Sequence, residues 1–300
     1  MYAIYTYAAS STQANVLADI IKLLTGETNK ANLSANCVQA STAIIATASA
    51  GWAVFDSAAG TNKQCIRALN QDGTTYKYAT VVMTSTAAFQ TAVQESWNAG
   101  THAATNEVAA SAMAWNATNG GTLYIYATSK NFLILSYSSS AFQNFDGWCF
   151  EVSRDTIPSG YPCHAGAGSS GAAYLFSAGA GAYSCQIPRV KNFTAAGDVT
   201  ASAQMLQGIS GAAGVPTSNG LGRMSDAQIF RDASETLKLA VYKIGIGGGA
   251  SQNGCQLGTV YDLYVTGYNS GINTLDEITY ASQTYVAIKL ASAVLLFPKA

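Results

Sequence analysis

One long stretch of this chain repeats its apolar residues at helical spacing, and most of the remainder is cut into strand-length pieces. Val16, Leu17, Ile20, Ile21, Leu23 and Leu24 fall on one face of a 3.6-residue repeat. Ser10-Ser11-Thr12 supplies N-cap oxygens ahead of them, and Gly26 supplies a stop. Asp19 and Lys22 are assigned to the opposite face. From about residue 36 the apolar residues come in short runs of period two, separated by Gly, Asn and Asp. The pattern predicts a mainly β fold, with sandwich-like lobes and one N-terminal amphipathic helix.

The strands can be placed from their punctuation. Tyr2–Tyr7 reads as an edge strand or a docking arm. Ala43–Thr47, Trp52–Phe55 and Gln64–Leu69 come next, the last two separated by a Gly60-Thr61-Asn62 turn. Asn70-Gln71-Asp72-Gly73 is a hairpin turn, because Asp-Gly tolerates positive φ. In Thr75–Thr84 alternation puts Tyr76 and Tyr78 on one face and Lys77 on the other, taken as the solvent side. Residues 87–93 read as a short helix. After an Asn119-Gly120-Gly121 turn, Thr122–Ala127 and Phe132–Tyr137, joined across Ser129-Lys130-Asn131, form a hairpin, and Trp148–Val152 is a further strand. Leu237–Ile246, Thr259–Val265, Glu277–Tyr280, Tyr285–Leu290 and Ala293–Phe297 complete the set. The organisation expected is an arm and helix over residues 1–35, a β-rich lobe over 36–157 and a second over 158–300.

Charge sets the next limits. Charged residues are 10% of the 300, against about 25% in an ordinary soluble domain. Ala, Ser, Thr and Gly replace them. The net charge is −1 and there is no basic block, so no phosphate-neutralising surface for nucleic acid is expected. The N-terminus lacks a basic and apolar leader, and no run approaches the ~20 apolar residues of a membrane span; neither a secretory signal nor a membrane role is expected. Thr156–Pro188 is 33 residues without a formal charge, rich in Gly, Ala and Ser, with Tyr161, Tyr174, Leu175, Phe176 and Tyr183 interspersed. Aromatics of that density do not belong to a flexible linker, and the segment is expected at contacts with other subunits.

Chemistry-bearing residues are sparse. The six cysteines, Cys37, Cys65, Cys149, Cys163, Cys185 and Cys255, contain no C-x-x-C and read as small buried hydrophobes. Cys163 and His164 are neighbours, but adjacent side chains on extended backbone point to opposite faces. His102 reaches a cysteine only through the fold. Gly168-Ser169-Ser170-Gly171 and Gly208-Ile209-Ser210-Gly211 miss the spacing of a nucleophile elbow. The carboxylate pairs Asp276-Glu277 and Asp232/Glu235 look like turns or solvated faces. Gly247-Gly248-Gly249 precedes no helix, so it is a turn rather than a phosphate loop. The triplets at Asn32, Asn116 and Asn192 are chance matches to a glycosylation acceptor. No catalytic residue, cofactor-binding residue or metal ligand is assigned, and no cofactor is expected.

A further set of strings belongs together. It comprises Ile20–Thr28, Ala50–Asp56, Glu95-Ser96-Trp97-Asn98 with Thr101-His102 and Thr105-Asn106, Gly121–Ala127, Phe150–Asp155, Asp276–Thr279 and Phe297–Ala300. Together these resemble virion structural proteins of tailed bacteriophages, over nearly the whole chain. The resemblance implies a non-enzymatic subunit of the tail or baseplate, assembled in the bacterial cytoplasm and located in the virion. It implies contacts with copies of itself and other virion proteins. The composition fits, because Lys and Glu are depleted at interface cores and Tyr is enriched. The alternatives are a capsid decoration protein and an adhesin that stacks a host surface glycan on exposed Tyr and Trp.

Overall fold

The computed structural model describes residues 1–46, 51–85, 88–109, 120–138, 141–153, 159–167, 185–190, 199–207, 228–231, 238–248, 256–267, 271–280, 282–289 and 293–299. The protein is mainly β, with one α-helix, α1 (Gln13–Leu24), among these residues. In chain order the strands are β1 (Tyr2–Tyr7), β2 (Ala43–Ala46), β3 (Trp52–Gly60), β4 (Lys63–Leu69), β5 (Tyr76–Ser85), β6 (Ala88–Gln94), β7 (Ser96–Asn98), β8 (Ala103–Thr105), β9 (Val108–Ala109), β10 (Gly121–Ala127), β11 (Asn131–Ser138), β12 (Ala141–Glu151), β13 (His164–Ala167), β14 (Cys185–Val190), β15 (Val199–Gln207), β16 (Gln228–Arg231), β17 (Lys238–Gly248), β18 (Gln256–Gly267), β19 (Glu277–Tyr280), β20 (Gln283–Lys289) and β21 (Ala293–Pro298).

They form three antiparallel sheets. The large sheet runs β19-β20-β21-β18-β17-β15-β14-β13-β12-β11-β10-β1-β2, with β16 paired to β17. The small sheet runs β3-β4-β5-β6-β9, and β7-β8 is a separate hairpin. Hairpins β4–β5 and β10–β11 lie where Asp72-Gly73 and Ser129-Lys130 place turns. β1 is not an edge strand or a free arm: it pairs with β10 on one side and β2 on the other.

Among the described residues the two largest cores follow from the period of the strands. Leu123, Ile125, Phe132 and Ile134 point from β10 and β11 toward the small sheet, meeting Ile66, Ala79, Val81, Phe89 and Val93. Tyr126, Leu133 and Leu135 point the other way, onto Val260, Val286, Ile288, Leu295 and Phe297 of the C-terminal strands. The large sheet therefore curls back so that its late strands cover its early ones. Strands covered on both faces read as continuous apolar runs, as Phe132-Leu133-Ile134-Leu135 does.

Helix α1 packs between the sheets through Val16, Leu17, Ile20, Ile21, Leu23 and Leu24, all buried. Thr12 caps it, accepting from the Asn15 amide, and Gly26 leaves it at φ 96°. Asp19 does not share a solvated face with Lys22. It is fully buried and accepts from the Tyr5 hydroxyl and the Ser34 amide, both at 2.8 Å. That pair of donors is what allows a carboxylate on the buried side of the helix.

Residues Ala88–Val93 are strand rather than helix: Phe89, Thr91 and Val93 alternate inward toward the large sheet. The approach is close. A Cβ on Gly147 would lie 2.0 Å from Thr91 Oγ1, and one on Gly166 would lie 2.3 Å from a Val93 methyl. The two glycines let β6 settle onto β12 and β13.

Candidate functional site

The small sheet has an inner face against the large sheet and an outer face partly covered by the β7–β8 hairpin. On the outer face Trp97 packs over Cys65 and Ala59. The hairpin is shaped by its own polar residues: Asn98 Oδ1 accepts from the amides of Gly100 and Thr101, and His102 and Asn106 adopt positive φ. Asn is at home in that region, and His is a tolerated second choice.

This hairpin delivers Trp97 and His102 to Asp56, which lies at a bulge of β3. Asp56 Oδ2 accepts from Trp97 Nε1 at 2.8 Å and from His102 Nδ1 at 2.7 Å, while Oδ1 accepts from the Ala58 amide. Burial pushes the carboxyl up, but the bonds from His102, Trp97 and Ala58 outweigh it and hold Asp56 below the usual carboxylate range. Lys63 lies over the Trp97 ring at 5.1 Å and pairs with Glu107 at 3.5 Å. Because a carboxylate only accepts, the contact with Asp56 places a proton on His102 Nδ1 and fixes the ring's orientation, with Nε2 turned away from Asp56.

A cysteine hydrolase, which combines a Cys, a His and a group that orients the His, needs its nucleophile in reach of the other ring nitrogen, Nε2. Among the described residues His102 bonds only to Asp56. Cys65 is buried beneath Trp97, its thiol pushed up to about 12 by burial, with Gln94 Nε2 at 3.5 Å from its sulfur. A thiol held so far above neutrality is not a nucleophile. The arrangement pins the hairpin to the sheet.

The other sequence candidates separate in the same way. Cys163 and His164 face opposite sides, as adjacent strand residues must: Cys163 enters the core beneath the C-terminal strands, and His164 Nε2 donates to the Gln94 carbonyl of the small sheet at 3.0 Å. Asp276 accepts from the Asn273 amide in a turn, and Glu277 pairs with Lys299. Cys37, Cys65, Cys149 and Cys163 are buried, consistent with small hydrophobes. Asn32 donates to Glu27. The Gly168–Gly171 and Gly208–Gly211 motifs, Asp232 and Glu235, Gly249, Asn116, Asn192, Cys255 and residues 168–184 of the charge-free segment lie outside the described residues. Among the described residues no helix is long and apolar enough to cross a membrane, and no cluster of three His, Cys, Asp or Glu is set to hold a metal.

Sequence reasoning missed the polar ties between the sheets. Lys77 faces inward, fully buried, and bonds Glu151 at 2.8 Å and the Leu69 carbonyl at 3.0 Å, over the Trp52 ring. The expected parity of β5 is correct, but the side is reversed: Tyr76 is the exposed residue. Arg189 grips Glu95 with three bonds of 2.6–3.0 Å, stacks on Tyr161 and donates to the Gly160 carbonyl. Glu95 is held below the usual carboxylate range, first by Arg189. The buried Lys77–Glu151 pair and the half-buried Arg189–Glu95 pair thus clamp sheet to sheet. No known protein family and no curated protein matches the chain.

Proposed function

We propose that the chain is a non-enzymatic structural subunit of a tailed-bacteriophage virion, of the tail or baseplate, acting through contacts with copies of itself and other virion proteins. The observation that carries the reading is the state of two sheet edges. β2 ends the large sheet and β3 ends the small one. Ile45 on β2 is 41% exposed and Val54 on β3 is 44% exposed. Neither strand carries a lysine or proline, and the one charge on β3, Asp56, is turned into the hairpin hub. Monomeric proteins blunt such edges with charge, because unpaired N–H and C=O groups recruit further strands. An edge left apolar is suited to strand addition by a neighbour. The scarcity of charge and the resemblance of the sequence support the same reading.

Immunogold electron microscopy of purified phage particles tests the place, and light scattering of the purified chain tests self-association. Label on the tail or baseplate, with Val54→Lys blocking assembly while leaving the circular dichroism spectrum unchanged, is the expected outcome. A chain absent from particles and monomeric at every concentration overturns the proposal.

A further inference from the structure

Five cations among the described residues lie over aromatic rings. Lys63 lies over Trp97, Lys77 over Trp52, Lys130 over Tyr261 and Arg189 over Tyr161. Each of these four also holds a carboxylate: Glu107, Glu151, Asp262 and Glu95 respectively. Arg67 is the fifth. Its guanidinium carbon sits 4.2 Å from the Phe55 ring centroid and 4.3 Å from that of Tyr76. Among the described residues no hydrogen bond or ion pair reaches it. The rings hold it without using any of its five N–H donors, so among the described residues the fork is oriented and unfilled.

The surroundings define what fills it. Arg67 lies on the outer face of β4, opposite Tyr78, and its neighbour Leu69 lies opposite Tyr76. Tyr76 is 39% exposed and Leu69 43%. Apolar surface is therefore exposed beside the guanidinium, and it ends at the polar turn of Gln71, Asp72 and Thr74, all exposed. A ligand that matches needs a flat C–H face for Tyr76 and a carboxylate at its rim for Arg67. An acidic pyranose has both on one rigid ring. An Asp or Glu side chain from a protein has the carboxylate but no face to lay on the tyrosine.

We propose that Arg67 and Tyr76 form a binding site for a carboxylated sugar of a polysaccharide, with the carboxylate held by the guanidinium N–H groups and the sugar ring laid against the exposed parts of Tyr76 and Leu69 beside it. The site lies on the isolated chain, so it stands apart from the assembly reading. The test is titration of the purified chain with trigalacturonate, with neutral trigalactose and with polyglutamate, followed by amide chemical shifts of the β4–β5 hairpin. Saturable shifts with trigalacturonate, weakening as salt is raised, and at least tenfold weaker binding of trigalactose are expected. Arg67→Gln abolishes binding, and Arg67→Lys, which keeps the charge but not the fork, weakens it about tenfold. Tyr76→Ala also weakens it about tenfold, because the stacking surface is lost. Each variant is accepted only with a wild-type circular dichroism spectrum and melting curve. Should Arg67→Gln fail that control, Arg67→Lys and Tyr76→Ala decide. No shift with trigalacturonate, equal binding of the neutral sugar, or variants that bind like wild type overturn the proposal. Polyglutamate binding as tightly as trigalacturonate also overturns it, in favour of a protein carboxylate.

Discussion

Replacing Lys77 by Met is a direct test of how the two sheets are joined. Lys77 and Glu151 are 0% and 2% exposed and 2.8 Å apart. At an effective dielectric near 20, unit charges about 4 Å apart attract by about 4 kcal/mol. Removing both from water opposes that gain, so the pair's net worth is small, but breaking it is not. In Lys77→Met the Glu151 carboxylate remains buried with only the Gln71 amide, at 2.6 Å, left to its side chain. The expected cost is about 3–5 kcal/mol, a large share of the ~5–15 kcal/mol that holds a domain folded. Lys77→Met/Glu151→Leu removes both charges and is expected to recover most of the loss. Urea unfolding of the wild type, both single variants and the double gives the coupling between the sites. A coupling above about 2 kcal/mol is the expected result. A single variant costing less than about 1 kcal/mol, the range of an exposed pair, would show that water reaches the pair and that it does not clamp the sheets.

Other substitutions probe other joints. Gly166→Ala places a methyl against Val93 and is expected to cost about 1–3 kcal/mol by overpacking, read from the same urea curves. Ile20→Asp puts an unpaired carboxylate at a fully buried position of α1, and the several kcal/mol this costs should abolish soluble expression. Asp56 has a folded-state pKa held below its unfolded value. Its contribution is therefore complete above the unfolded carboxylate pKa and is lost as pH falls through the folded one. Asp56→Asn should flatten that acid limb of the stability curve and alter Trp97 fluorescence at neutral pH. An unchanged limb would show that Asp56 is not among the groups that set it.

Hairpins were legible in the sequence because turn chemistry is local: Asp72-Gly73 and Ser129-Lys130 mark their turns wherever the strands end up. The helix was legible for the same reason, with its cap, apolar stripe and stop all inside one segment. Alternation told which residues of β5 share a face, but not which face is inside. The usable sign was that Lys77 is in phase with Ala79, Val81 and Met83, whereas the charge itself drew the reading outward. Asp19 hid similarly, three residues after Val16 and one before Ile20, on the edge of the apolar stripe. The Asp56–Trp97–His102 hub had no local signal, since a bulge and a separate hairpin bring it together. The same holds for Gly147 and Gly166, whose need for a missing Cβ exists only once β6 lies over them.

The curl of the large sheet bears on the order in which the chain must fold. The hydroxyl of Tyr126 bonds the carbonyl of Pro298, 172 residues later, and β1 pairs with β10 across more than a third of the chain. Such closures bring distant segments together before local contacts reward them, and topologies built this way fold slowly. During synthesis β10 and β11 emerge with one apolar face uncovered, and it stays uncovered until β18, β20 and β21 have been made. For that interval the nascent chain presents the core face of its longest sheet to its surroundings, and the speed of production, as much as final stability, sets how much of it reaches the native state.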